Sequence, residues 1–104
     1  MTDNETSIEM KVPSDHPSLP GHFPANPVVP GVVILSCLLE GYSRAISAPL
    51  RLQQLPRVKF LRPLLAEVAF QVTYRESAGK LKFRGTIDGE PFVVGVMGIS
   101  RAGE

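Results

Sequence analysis

The stretch 21–41, GHFPANPVVPGVVILSCLLEG, joins a proline-rich loop directly to an apolar helix. Three prolines at a three-residue spacing push the residues before them toward extended backbone, so a stiff loop is predicted. From Gly31 to about Ser47 the pattern predicts a helix, which Pro49 ends. Apolar side chains surround this helix almost completely, which predicts that it is buried. Its polar residues share one stripe along the axis: Ser36, Glu40, Ser43 or Arg44, and Ser47.

The rest of the chain predicts five short strands. One precedes the helix, at residues 7–12, and four follow it, at residues 57–64, 68–76, 80–87 and 92–100. The strand at 57–64 is predicted to be half-buried and interrupted at Pro63. The last strand is apolar on both faces, so it should be central or contact another subunit. Asp88-Gly89 signals a two-residue hairpin. An antiparallel sheet wrapped around the helix satisfies this order.

Length and composition exclude several classes of protein. The chain has 104 residues, 43 % of them hydrophobic, and a net charge of +1, which predicts one globular domain over residues 1–104. There is no basic surplus for a nucleic-acid backbone and no apolar run long enough to span a membrane. A single cysteine, Cys37, excludes an internal disulfide and favours the cytoplasm. One Cys and two His offer no recognisable metal-ligand spacing, so no metal is expected.

Two residues of the opening stretch have the chemistry of a catalytic site. The imidazole of His22 can accept or donate a proton near neutral pH, and the prolines on both sides would hold it in place. Gly31 begins the helix, where unpaired N–H groups and the helix dipole favour a developing negative charge. The alternatives are a histidine that hydrogen-bonds loop carbonyls and a proline-glycine pair that merely starts a helix.

The segment GHFPANPVVPGVVIL resembles the signature of the 3-hydroxyacyl-acyl-carrier-protein dehydratases, which have the α+β hotdog fold. The segment VKFLRPLLAEVAFQV also resembles that family's strand after the helix, with Arg62 in its pattern. HPSLPGHFP is similar to the smaller dehydratase-like proteins of aryl polyene and xanthomonadin-type pigment clusters. The resemblance spans nearly the whole chain and implies an antiparallel sheet around one central helix.

The resemblance also implies a reaction and its residues. A histidine at the position of His22 removes the α-proton of a (3R)-3-hydroxyacyl thioester on an acyl carrier protein. The N–H at the position of Gly31 polarises the thioester carbonyl. A helix carboxylate of the partner subunit then helps the hydroxyl to leave as water, in a tunnel at the dimer interface. Phe23, Pro30 and Val32 are expected to bind the substrate, and no cofactor is implied.

The helix carboxylate of that family is missing here, because its position falls on Ser36. A serine hydroxyl is too weak an acid to protonate a leaving hydroxyl, although it can hydrogen-bond to one. Glu40 lies one turn further along the same stripe, about 6 Å up the helix axis, and could supply the acid. The competing interpretation is an ordinary ion pair between Glu40 and Arg44. Cys37 lies to one side of the stripe and is interpreted as a core residue, and His16 as structural or solvated.

The sequence therefore leaves three functions open. The first is dehydration of a 3-hydroxyacyl group, with His22 as base, Gly31 as oxyanion donor, and Ser36 with Glu40 as an altered acid site. The second is a catalytically degenerate hotdog subunit that completes a heterodimer or binds acyl chains. The third is an acyl thioesterase, since hotdog folds also carry that activity. The expected partners are an acyl carrier protein and a second hotdog chain, identical or different.

Overall fold

The computed structural model describes residues 5–15 and 28–101. Its elements in chain order are β1 (Glu5–Met10), α1 (Gly31–Ile46), β2 (Leu50–Phe60), β3 (Phe70–Ser77), β4 (Lys80–Ile87) and β5 (Glu90–Arg101). The strands form one antiparallel sheet in the order β1-β3-β4-β5-β2. Helix α1 packs on one face of this sheet, and the predicted hotdog fold is confirmed.

Helix α1 begins and ends close to the predicted residues, but its burial differs from the prediction. Four of its side chains lie in the core: Val33, Ile34, Leu38 and Tyr42. The opposite side of the helix is exposed, and Val32 is 71 % exposed. The prediction that the helix is buried on almost every side is therefore wrong for the single chain. Apolar composition alone does not distinguish a side chain that packs in the core from one left for a partner or ligand.

Strand β2 is longer and more exposed than predicted. It begins at Leu50, seven residues before the predicted start, and it runs through Pro56 to Phe60. A proline is tolerated there because β2 is an edge strand, and the pairing with β5 shifts register between Leu52 and Arg57. The prediction of a half-buried strand is also wrong, since nearly all of β2 is exposed.

The other strands agree with the prediction within a few residues. Strand β5 lies between β4 and β2, which confirms its predicted central place. The hairpin at Asp88-Gly89 is also confirmed, since both residues have positive φ, 52° and 82°. A second tight turn at Ala78-Gly79 likewise has two positive φ angles and joins β3 to β4.

The core lies between α1 and the inner face of the sheet. Its largest fully buried side chains include Tyr74, Phe92, Leu38, Leu64 and Leu81. The hydroxyl of Tyr74 donates to the carbonyl oxygen of Leu38 at 2.7 Å, so this buried polar group is satisfied. The core therefore fixes the position of α1 relative to β3. Across the residues that the structure describes, no helix has the length and apolar character needed to cross a bilayer.

Candidate active site

The start of helix α1 has few partners for its backbone donors. Pro30 is the N-cap, it makes no side-chain cap, and the first turn contains no acidic residue. The carbonyl oxygen of Pro30 accepts from Val33 N–H at 3.0 Å and from Ile34 N–H at 3.1 Å. Within residues 5–15 and 28–101, no hydrogen bond satisfies the N–H of Gly31. This donor is therefore available to an oxygen with negative charge.

The backbone before the helix is held in place by the segment that follows β2. Val29 N–H donates to the carbonyl oxygen of Leu64 at 2.8 Å, and Val28 forms a β-bridge with Leu65. The ring of Phe60 lies against Gly31, because a Cβ at this glycine would come within 2.9 Å of the ring. A side chain at position 31 would therefore push the ring of Phe60 away from the helix start.

Exposed apolar side chains gather around this helix start. Val28, Val32, Phe60 and Leu61 are 56 %, 71 %, 45 % and 45 % exposed. Three of them, Val28, Phe60 and Leu61, line a groove of about 390 Å³, which we call the helix-start groove; Pro30, Gly31, Ile34 and Leu64 also line it. Exposed apolar side chains that cluster in this way mark a ligand or partner surface. Phe60 and Leu61 were not predicted to belong to the site, although the segment RVKFLRPL places these two bulky apolar residues side by side.

The predicted polar stripe of α1 is exposed. Val32, Ser36 and Glu40 follow one another at four-residue steps, and all three are exposed. We call these three residues the exposed stripe. The structure therefore places Pro30, Gly31 and Val32 at the helix start. Ser36 lies one turn after Val32 on the same side of the helix, and Glu40 lies one turn after Ser36. His22 and Phe23, and also His16, lie outside the described residues.

The interpretation of Glu40 as half of an ion pair is wrong for the described chain. Over residues 5–15 and 28–101, no salt bridge joins Glu40 to Arg44 or to another cation. The carboxylate of Glu40 still acts on its neighbour Cys37. Burial raises the pKa of the Cys37 thiol, the charge of Glu40 raises it further, and Arg44 opposes both. A thiol with a raised pKa is a poor nucleophile, which supports the interpretation of Cys37 as a packing residue.

Two other polar groups near α1 are fully engaged in structure. Tyr42 donates from its hydroxyl to Glu76 Oε1 at 2.7 Å, and Arg101 donates to Glu76 Oε2 at 3.0 Å. The hydrogen bond from Arg101 lowers the pKa of Glu76 despite partial burial, and that from Tyr42 adds to the effect. Arg62, in the loop before β3 as predicted, pairs with Glu90 at 2.5 Å. Tyr42, Glu76 and Arg101 stabilise the fold away from the helix start, whereas Arg62 lies beside it.

The comparisons with known proteins agree with this architecture. The family profile described as ApeI-like, ApeI dehydratase, matches residues 1–97. The dehydratase heterocomplex ApeI:P from Xenorhabdus doucetiae is 21 % identical with a TM-score of 0.76, over 96 % of this chain and 90 % of that one. An uncharacterized protein from Erwinia carotovora subsp. atroseptica is 20 % identical with a TM-score of 0.77, over 100 % and 90 % of the two chains.

A thioesterase shares the fold as well. The fluoroacetyl-CoA thioesterase FlK is 12 % identical with a TM-score of 0.64, over 96 % of this chain and 87 % of that one. No curated protein matches the sequence. At these identities the solved structures establish the fold alone, whereas the family profile covers almost the whole chain.

Proposed function

Because this chain belongs to the ApeI-like dehydratase family, we propose that it removes water from a (3R)-3-hydroxyacyl thioester on an acyl carrier protein. One observation carries the proposal: exposed apolar side chains surround an uncapped helix start, and Ser36 and Glu40 continue from it along the exposed stripe. An acyl chain needs an apolar surface, and a leaving hydroxyl needs a proton donor beside it. Fatty acid and aryl polyene biosynthesis both use substrates of this class.

In the proposed reaction, His22 removes the proton from C2 of the acyl group. The N–H of Gly31 donates to the thioester oxygen, which stabilises the negative charge that develops there. The electron pair of the C2–H bond then forms the C2–C3 double bond while the C3–O bond breaks. The carboxyl group of Glu40 gives its proton to the departing hydroxyl, so water leaves. The imidazolium later returns a proton to the carboxylate, which restores both residues.

The remaining residues bind and orient the substrate. Ser36 donates a hydrogen bond to the C3 hydroxyl and holds it toward Glu40. Val32 and Pro30 contact the acyl chain from the helix start, and Phe23 contacts it from the loop that carries His22. By resemblance to the dehydratases named above, His22 and the exposed stripe come from two different subunits. No metal or organic cofactor takes part in this scheme.

The pairing of two hotdog chains has support at the β2 edge of the sheet. Leu52 and Leu55 are 44 % and 42 % exposed on this eleven-residue edge strand. A long edge with exposed apolar residues is suited to pairing with another chain. The partner is a second copy or a different hotdog chain, as in the dehydratase heterocomplex ApeI:P. In the latter case this chain works as the degenerate subunit and its partner supplies the acid. We place the assembly in the cytoplasm, with one hotdog domain per chain.

The purified protein and a 3-hydroxyacyl carrier protein test the proposal directly. Intact-protein mass spectrometry of the carrier distinguishes the outcomes. Loss of water from the acyl group supports dehydration. Release of the free acid indicates the thioesterase instead. An unchanged substrate with the chain alone, but water loss after co-expression with a second hotdog chain, indicates the degenerate subunit. An unchanged substrate in both cases contradicts the proposal.

A further inference from the structure

The sheet face opposite α1 carries an unusual concentration of cations. Seven of the chain's eleven lysines and arginines project from this outer face: Arg51, Arg57, Lys59, Arg75, Lys80, Lys82 and Arg84. The pairing register brings them together across the strands. Lys82 on β4 lies opposite Arg75 on β3, and both Lys82 and Arg57 lie opposite Val96 on β5. The whole chain has a net charge of only +1, so positive charge is segregated to this face.

The cations flank a strip of apolar side chains. Val94 and Val96 are half-buried on the outer side of β5. On one side of them are Lys82 and Arg84 of β4, and on the other is Arg57 of β2. Together they line a shallow groove of about 560 Å³. We call this feature the basic groove.

Most of this charge has no balancing acid. Glu5 lies 3.4 Å from Arg75 and is also part of the groove wall. Among the described residues, no carboxylate forms an ion pair with Arg57, Lys82 or Arg84. Like charges directly opposite on adjacent strands are destabilising, and Arg75 opposite Lys82 is such a pair. An anionic partner on this face would relieve that repulsion.

We infer that the basic groove docks an acidic amphipathic helix of a partner protein, lying along β5. Adjacent strands are about 4.8 Å apart, so the cations of β4 and β2 stand about 10 Å apart across the valines. An α-helix with its side chains is about 10–12 Å across. Its apolar side would rest on Val94 and Val96, while its carboxylates would reach the cations on both flanks. A second copy of this chain is excluded as occupant, because it would bring seven cations against seven.

The test uses the full chain and a synthetic helical peptide. The peptide has leucines along one side and glutamates on both flanks, and the control peptide replaces each glutamate by glutamine. Backbone amide shifts of the isotope-labelled protein report where each peptide binds. We expect shifts on β4 and β5 with the acidic peptide, and binding about tenfold weaker with the control peptide.

Matched variants sharpen the test. Arg84→Glu removes a groove cation, and Arg44→Glu makes the same change on helix α1, away from the groove. The first should weaken peptide binding by roughly fivefold or more, and the second should leave it unchanged. Circular dichroism verifies that both variants fold.

Three results would overturn the inference. One is the absence of shifts on β4 and β5 at millimolar acidic peptide. Another is equal binding of the two peptides or equal behaviour of the two variants. The third is a response of the same amides to anionic phospholipid vesicles but not to the acidic peptide, which would assign the face to a membrane surface. None of these results depends on dehydratase activity, so the two proposals fail separately.

Discussion

The two ends of helix α1 are built differently. At the C-terminal end, Ser47 adopts a left-handed conformation, and its N–H and that of Ala48 donate to carbonyls of the last turn. The hydroxyl of Ser43 donates to Ala48 O at 2.6 Å, which closes this end further. At the N-terminal end, Pro30 provides no side-chain cap and the first turn contains no acidic residue.

The residues around the two ends of the helix also differ. Tyr42, Glu76 and Arg101 form a hydrogen-bonded group beside the C-terminal half of the helix. Exposed apolar residues and the helix-start groove surround the N-terminal end. A satisfied end stabilises the chain by itself, whereas an unsatisfied end with exposed apolar surface is suited to a ligand or partner. The difference indicates which end is scaffold and which end is the candidate site.

The largest expected effect comes from His22→Ala. If His22 is the base of the proposed reaction, its removal should lower the rate of water loss by about 10²–10⁴-fold. The comparison requires a variant that remains folded, with a free energy of unfolding close to that of the wild-type protein. Single-turnover rates on a 3-hydroxyacyl carrier protein measure the first quantity, and urea unfolding measures the second. An unchanged rate would remove His22 from the mechanism.

Ser36→Glu should increase the activity of the N-terminal half of the helix, because it places a carboxylate where the related dehydratases have one. We expect water loss to rise by about tenfold, since a general acid at this position adds to the contribution of Glu40. Ser36→Gln is the matched control, because it has the same size without an acidic proton. A rise with glutamine as large as with glutamate would indicate a packing effect and contradict the acid role.

A change in the core beneath the helix should lower the stability of the protein without lowering the rate of water loss. Tyr74→Phe removes the buried hydroxyl that donates to Leu38 O. The free energy of unfolding should fall by about 1 kcal/mol, the usual net value of such a hydrogen bond. The rate of water loss should remain within about twofold, because the change is remote from the helix start. Denaturant unfolding with parallel assays tests both statements, and a large rate loss at unchanged stability would contradict them.

The smallest expected effect is the pH dependence that Glu76 confers. Its pKa in the folded chain lies below the ordinary value of 4.5, with the Arg101 hydrogen bond as the first cause. Its stabilising contribution is therefore present above pH 4.5 and is lost as the pH falls through the lowered pKa. Glu76→Gln should reduce the free energy of unfolding near pH 7 by about 0.5 kcal/mol, since its pair with Arg101 is partly exposed. It should also make the fall of that free energy at acidic pH, the acid limb, less steep. Identical acid limbs for the two proteins would contradict this assignment.

Local signals made much of the fold predictable. Pro49 ends the helix because its ring fixes φ and it has no N–H to donate, and Asp88-Gly89 favours a turn because both residues tolerate positive φ. The start of β2 was not predictable in this way, since residues 50–56 lack clean alternation and include Pro56. Their strand conformation depends on pairing with β5, and a single-sequence pattern contains no information about that pairing.

The candidate site was predictable in part for the same reason. Helical spacing alone places Ser36 and Glu40 on one stripe with Val32. The spacing of Glu40 and Arg44 also suggested an ion pair, which the structure does not contain, because two exposed side chains gain little by pairing in water. The group of Tyr42, Glu76 and Arg101 joins residues 34 and 25 positions apart. Such contacts follow from the completed sheet and leave no local pattern.

The most direct test of the proposed acid site compares Glu40→Gln with Glu9→Gln. Both changes neutralise an exposed carboxylate, one on the exposed stripe of α1 and the other on β1. If the exposed stripe performs the chemistry, Glu40→Gln should lower the rate of water loss by about 10²-fold while Glu9→Gln leaves it unchanged. Equal rates for wild-type protein and both variants, with the fold intact, would contradict the assignment of Glu40 as the acid of the site.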